Sequence, residues 1–434
     1  MPQLALNRQV TLPDDRFWKM RIGLLGPVDD GLVATADFQV PIRTEPRPVS
    51  ERTCRMRPLT TLAYMLLAPC LTHHLAAQEA TETSIRQVLI AHATALKSGG
   101  EKVLIEEAEE HQYLLLGELH GETEIPQLLS DLWPTLWKAG YRHIAAEVSP
   151  WAATHLERPA TEDRTPVPGL WTRRQAADMG RVATSQQSVL WGCDIEEMQP
   201  DQLIREMALL NPADAGLHDM QGIAAHGYTR RLAPELLRIA KSEHPAKDAA
   251  IGGASLWGST LDTLKVENLR SDPHTRYEAS NERERVMKEL FLRHREQDPE
   301  GKVLLRFGRN HLHRGLDARG ISTLGNFVAE WAIAQGQSVV NVGVFAAGGK
   351  EHLAGQTFEA DESQDELTFA LLANLSGSDS TLYDLKQLRP MLHAIPAEKR
   401  TPLETNLIYW ADSYDYLLCY PSVSPLQDSS ADPR

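Results

Sequence analysis

Continuous apolar runs alternate with segments of helical period along most of the chain. The pattern predicts a helix over about 82–97, a strand at Gln112–Leu116, a helix over about 123–139 and a strand at His143–Val148. Residues 157–170 hold three prolines and several charges, which predicts a loop. A helix over about 172–187 then leads to a strand at Ser188–Gly192. Residues 199–275 are polar and helix-leaning, broken by Pro and Gly. A long helix is expected over about 277–297, a strand at Lys302–Phe307, a helix over about 322–335 and a strand at Ser338–Phe345. Helical and loop segments fill 362–400, and strands at 405–410 and 414–420 close the pattern. Uninterrupted apolar strands separated by helices mark a sheet covered on both faces. Right-handed crossovers make most of it parallel. Leu407–Trp410 and Tyr416–Tyr420, joined across Asp412-Ser413, read as a closing hairpin, so the sheet is expected to be mixed. The fold class is therefore α/β, a central mostly parallel mixed sheet with helices on both faces and a helical cap insertion over about 199–275.

The first eighty residues behave differently. Residues 1–55 carry no sustained period and read as an upstream extension outside the fold. From Met56 the chain runs Met56-Arg57-Pro58, an apolar stretch from Leu59 to Leu71, then Leu75-Ala76-Ala77-Gln78. A basic start, a short apolar stretch and a small-residue site match a signal peptide over 56–77, cleaved after Ala77. The stretch is too short to span a membrane and is broken by Thr and Pro. A lipoprotein site at Leu67-Ala68-Pro69-Cys70 is the weaker reading, because Pro stands where a small residue should precede the Cys. A buried helix over 59–71 is the plain alternative. On the export reading one α/β domain spans 78–425, a flexible tail covers 426–434, and the protein is periplasmic or secreted.

Charge sharpens this picture. The chain has 434 residues, with 44 Lys and Arg against 59 Asp and Glu, a net charge of −15. Beyond residue 77 the balance is 35 against 52. No basic stripe offsets the deficit, which argues against nucleic acid as a partner. The four cysteines include no Cys-x-x-Cys, so a zinc–thiolate site is unsupported. Cys193 and Cys419 lie in apolar runs; they are either two buried thiols or, in an oxidising compartment, a pair.

The candidate chemistry sits at the strand ends, where open α/β sheets bind ligands. The first strand ends in Gly117-Glu118-Leu119-His120-Gly121-Glu122, the second at Glu147, the third at Asp194, and a later one in Gly308-Arg309-Asn310-His311. Adjacent strands would put these groups on one rim. A glycine after a strand permits a tight turn. His120 just before a helix is expected to stay neutral, because the positive helix end disfavours imidazolium. Neutral imidazole suits either a general base or a metal ligand. Glu118 would orient His120 or share an ion with it. Glu147, inside an apolar strand, needs a partner. Arg283, in the charged helix that opens Asn281-Glu282-Arg283-Glu284-Arg285-Val286-Met287, could turn inward to an anion. Each feature alone also has a bland reading: a loop His on backbone, a structural ion pair, a helix cap. His313 is expected to point away from the site. There is no Walker-type loop and no Gly-x-Ser-x-Gly elbow.

Together these residues resemble the superfamily that joins erythromycin esterases, the ChaN haem-binding uptake proteins and the Tiki proteases. The resemblance lies in Gly117-Glu118-Leu119-His120, Glu147 and Gly308-Arg309-Asn310-His311. It extends to Arg283-Glu284-Arg285-Val286-Met287 and to the closing Tyr414-Asp415-Tyr416-Leu417-Leu418. The single residue between Glu118 and His120 follows the ChaN and Tiki spacing, whereas Asn310-His311 is similar to the esterase branch. The esterase branch implies His120 as a base that activates water, with Glu and Arg support. The Tiki branch implies a divalent metal held by His120, His311, Glu118 and Glu147. The ChaN branch implies haem and no catalysis. The leading expectation is an exported hydrolase acting on an ester or amide bond of a small-molecule or peptide substrate. His120, Glu118, Glu147 and His311 form its site, and Arg283 holds the oxyanion.

Overall fold

Strand β2 (Tyr113–Glu118) is buried along its whole length. Leu114 and Leu116 join one apolar cluster, while Tyr113 and Leu115 join another on the opposite face. That division follows from the two-residue period of a strand, and it makes β2 a central strand with helices on both sides. The computed structural model describes residues 82–157 and 189–426, apart from 198, 226, 354, 355 and 365. Residues 1–86 and 87–434 form separate units, and every strand among the described residues belongs to the second. The leader over 56–77, the loop over 157–170 beyond Glu157, and the helix over 172–187 lie outside the described residues.

The other strands are β1 (Ala93–Ala95), β3 (Tyr141–Ala146), β4 (Leu190–Gly192), β7 (Lys302–Gly308), β8 (Val339–Ala346), β11 (Thr381–Asp384) and β12 (Tyr416–Tyr420). Two short ribbons, β5–β6 (Ala250–Ile251, Ala254–Ser255) and β9–β10 (Lys350–Leu353, Gln356–Glu359), stand apart from them. The main sheet has eight strands in the order β1-β11-β12-β8-β2-β7-β3-β4. From β12 to β4 every pairing is parallel. Only β11 runs against its neighbours, pairing antiparallel with both β1 and β12. The expected mostly parallel mixed sheet is thus present, and β2, β7, β3 and β4 are consecutive within it.

The closing hairpin is not. Residues 402–413 form the helix Pro402–Ser413, and the partner of β12 is β11. The helix opens on a reciprocal cap: Glu404 N–H donates to Thr401 Oγ1 (3.2 Å) and Thr401 N–H donates to Glu404 Oε2 (2.7 Å). With Pro402 in the first turn, this start signal outweighs the strand-like run at 405–410. The helix expected over 82–97 also stops early, at 91, and β1 follows it.

The segment over 199–275 contains the helices Pro200–Leu210, Ala215–Ala224, Ala233–Ala240 and Leu256–Arg270. Leu203, Ile204, Met207 and Leu217 of this segment pack in the cluster that covers Ile144, Ala146 and Leu190. The helices Arg276–Gln297 and Leu324–Ala334 cover the other face through Val286, Met287, Phe291, Leu324 and Val328. Among the described residues no helix is long and apolar enough to cross a membrane. Cys193 and Cys419 are separate, buried thiols.

Candidate active site

Four parallel strands end side by side, and the groups after them meet around one carboxylate. Glu147 follows β3, and its amide is held to the Arg306 carbonyl of β7 (3.2 Å). His120 follows β2 and brings Nε2 to 3.4 Å from Glu147 Oε2. His311 follows β7 and brings Nε2 to 3.4 Å from Glu147 Oε1. Two imidazoles therefore face opposite oxygens of a single buried carboxyl group.

The glycines are set by this crowding. A Cβ at Gly308 would lie 2.6 Å from His120 Nε2 and 3.1 Å from Glu147 Oε2. Gly308 N–H also donates to Glu147 Oε2 (2.6 Å). A Cβ at Gly117 would lie 2.9 Å from Arg309 Cα. Any other residue at Gly308 would push into the space between the two reactive groups.

The two histidines are held by different means. His311 Nδ1 meets Glu284 Oε1 at 2.5 Å, and Glu284 Oε2 accepts from the Leu324 amide (2.7 Å). Glu284 thus assigns the proton to Nδ1 and leaves Nε2 to face Glu147. His120 has Glu118 Oε1 at 3.5 Å from Nδ1, too far and too poorly aimed to count as a bond. Burial works against a charged His120, yet the Glu147 and Glu118 carboxylates outweigh it and push its pKa up to about 10. The expected neutral His120 is overturned: two facing carboxylates dominate the helix end. Glu147 is the counterpart. Burial disfavours its charge, but His311, His120 and Arg283 hold its carboxyl well below the usual carboxylate range.

Arg283 reaches inward, as expected, but it faces protein rather than open site. Nε donates to Asp194 Oδ1 (3.0 Å), and Nη2 bonds Asp194 Oδ2 and Glu147 Oε1, the latter at 2.8 Å. It fixes Glu147 and neutralises Asp194, which burial nevertheless pushes up to about 6. An oxyanion would find these donors already engaged.

Two residues here, Arg306 and Glu284, escape a reading by strand ends. Arg306 lies mid-strand in β7, on the face shared with Leu304, and its Nε donates to Glu118 Oε2 (2.6 Å). Its signal is a single cation inside an apolar run. Glu284 is hidden in a charged helix beside Arg283. Glu122 is 2 % exposed, and neither of its carboxyl oxygens has a hydrogen-bond partner. Burial and the Glu118 charge hold that carboxyl well above its usual range. His313, as expected, is elsewhere: it packs on Tyr409, Trp410 and Tyr414, and burial pushes its pKa down to about 3.

The proposed metal ligands do not fit a resident ion. Glu118 Oε2 is taken by Arg306, Glu147 Oε1 by Arg283 and Glu147 Oε2 by the Gly308 amide. Guanidinium groups occupy the places that a cation would need. Among the described residues no group of three or more His, Cys, Asp or Glu is arranged to hold a metal.

No protein-family model matches the chain, and no curated protein matches it by sequence. Solved structures do match in fold. A histidine-to-asparagine mutant of the erythromycin esterase EreC, in its open conformation, superposes with a TM-score of 0.54 at 12% identity, over 76% of this chain and 95% of that chain. A crystal structure of a Bacillus cereus protein superposes with a TM-score of 0.52 at 15% identity, over 79% of this chain and 98% of that one. A haem-bound ChaN of Campylobacter jejuni overlaps 56% of this chain and 85% of its own, but the TM-score of 0.27 carries no argument. The resemblance read from the motifs is thus supported as a shared fold with an erythromycin esterase.

Proposed function

We propose that this chain is an exported hydrolase that cleaves an ester or amide bond of a small-molecule or peptide substrate by proton transfer at His311 and His120. The observation that carries the reading is the arrangement of both imidazoles on the two oxygens of Glu147, with Glu284 behind one of them. A carboxylate on Nδ1 orients the ring and stabilises the imidazolium that forms when Nε2 takes a proton from water. His311 is therefore the general base. His120 rests as imidazolium and supplies the positive charge for an oxyanion, or a proton for the leaving group. Arg283 and Arg306 are anchors that hold the Glu147 and Glu118 side chains in place. The fold shared with an esterase makes esters the first substrate class to try, and no step requires a metal.

The test is a screen of the full chain against aryl esters, lactones and anilides, beside His311→Gln and His120→Gln. Either substitution is expected to lower kcat roughly 100- to 10,000-fold. Undiminished hydrolysis in both variants, or stoichiometric haem uptake with no hydrolysis, would overturn the reading. Export rests on residues 56–78 alone: protein expressed from Met56 is expected outside the cytoplasm, beginning at Gln78. A cytoplasmic product retaining 56–77 would remove the compartment from the proposal.

A further inference from the structure

We propose that Ser422–Leu426 is a positioning strap for the turn that carries His120, acting on the reaction through backbone hydrogen bonds. The proposal rests on the hydrolytic reading above. His120 lacks the side-chain anchor that His311 has: its Nδ1 has no hydrogen-bond partner and its Nε2 stands 3.4 Å from Glu147. The place of its ring is therefore set by its backbone. That backbone is held from outside. The turn reverses at Gly121, at φ +83°, and the Gly121 carbonyl accepts two amides, His352 N–H (2.7 Å) and Leu426 N–H (2.8 Å). Thr123 N–H donates to the Ser424 carbonyl (3.0 Å), and the Ser424 amide donates back to the Glu124 carboxylate at 2.9 and 3.0 Å. Glu122 and Pro425 form an antiparallel bridge between these bonds.

The strap is itself fastened. Val423 N–H donates to the Gly348 carbonyl (3.0 Å), and Lys350 N–H donates to the Val423 carbonyl (2.9 Å). Contact is close enough to demand glycine: a Cβ at Gly121 would lie 2.2 Å from the His352 carbonyl oxygen, and one at Gly349 would lie 2.1 Å from that of Val423. Two segments remote in sequence thus converge on the residues just after His120. The tail expected to be free from 426 onward is, at Leu426, part of this clamp.

The experiment compares a chain stopped after Pro421 with one stopped after Gln427, which keeps the strap. Loss of the strap is expected to lower kcat roughly 10- to 100-fold with KM nearly unchanged, the size of a misplaced reacting group. A synthetic peptide of residues 421–434 added in trans is expected to restore part of it. If the shorter chain fails to fold, Leu426→Pro removes the Leu426 N–H together with its side chain, Leu426→Ala removes the side chain alone, and the proline variant is expected to show the larger fall of the two, smaller than that of truncation. Amide exchange at Thr123 reads the strap without any substrate, so it separates failure of this proposal from failure of the hydrolytic reading. Slow exchange in the full chain that becomes fast without the strap is expected. A Thr123 amide that exchanges freely in the full chain, or a kcat indifferent to both truncation and Leu426→Pro, would overturn the proposal.

Discussion

The two sides of Glu147 solve one problem in opposite ways. On the His311 side a series of side-chain bonds, Leu324 amide to Glu284 to His311, ends in a 2.5 Å hydrogen bond. On the His120 side the ring floats between two carboxylates at 3.4 and 3.5 Å, and order comes from the backbone around Gly121. The first arrangement fixes a tautomer, which a base needs. The second fixes a charge, which a donor needs. Equal distances to one carboxylate therefore do not mean equal roles; the group behind each ring decides.

The comparison breaks most sharply at Glu284. If Glu284 serves only to orient His311, Glu284→Gln is expected to lose much of what His311→Gln loses, roughly 100-fold or more in kcat, with the fold intact. Glu118→Gln, behind the other ring, is expected to cost less, because His120 keeps Glu147. Steady-state kinetics on the two variants rank the sides; equal losses would erase the distinction. Arg306 tests the same contrast through stability. Arg306→Met leaves the Glu118 carboxylate buried without its cation and is expected to cost about 3–5 kcal/mol. Adding Glu118→Gln should recover most of it, read from denaturant midpoints. A smaller effect is expected at Gly308→Ala. Its Cβ, 2.6 Å from His120 Nε2, must displace that ring before it disturbs His311, at an expected cost of about 1–3 kcal/mol and a fall in kcat.

Legibility in the sequence divides along the same line. The order of strands and helices comes from apolar runs and their period, and the strand-end residues His120, Glu147, Asp194 and His311 come from the sheet rule. Groups that reach the site from within an element do not announce themselves. Arg306 looks like an interruption of β7, and Glu284 looks like one more charge on a solvated helix. The misread hairpin has the same root: the run Leu407–Trp410 satisfies strand and helix patterns alike, and only Thr401-Pro402-Leu403-Glu404 decides between them. The strap is not legible in the sequence because backbone hydrogen bonds do not name their partners: Gly121 and Gly349 mark a close approach but not of which segment.

The last contrast concerns charge on the His120 side. Its pKa stands at about 10 in the folded protein against an ordinary 6.5, so the folded state binds this proton more tightly than the unfolded chain does. A raised folded pKa contributes stability that is fully present below pH 6.5. That contribution is lost as pH rises toward 10, because the unfolded chain has already released its proton and the folded one must do the same. His120→Gln removes the titration while keeping a polar side chain of similar reach. Denaturant midpoints of the two proteins are therefore expected to differ most near pH 6 and to converge as pH climbs from 6.5 toward 10. A stability difference that stays flat across this range would show that His120 is neutral in the folded protein. In that event both rings would be equivalent acceptors, and the division of labour around Glu147 would have to be redrawn with His120 as a second base.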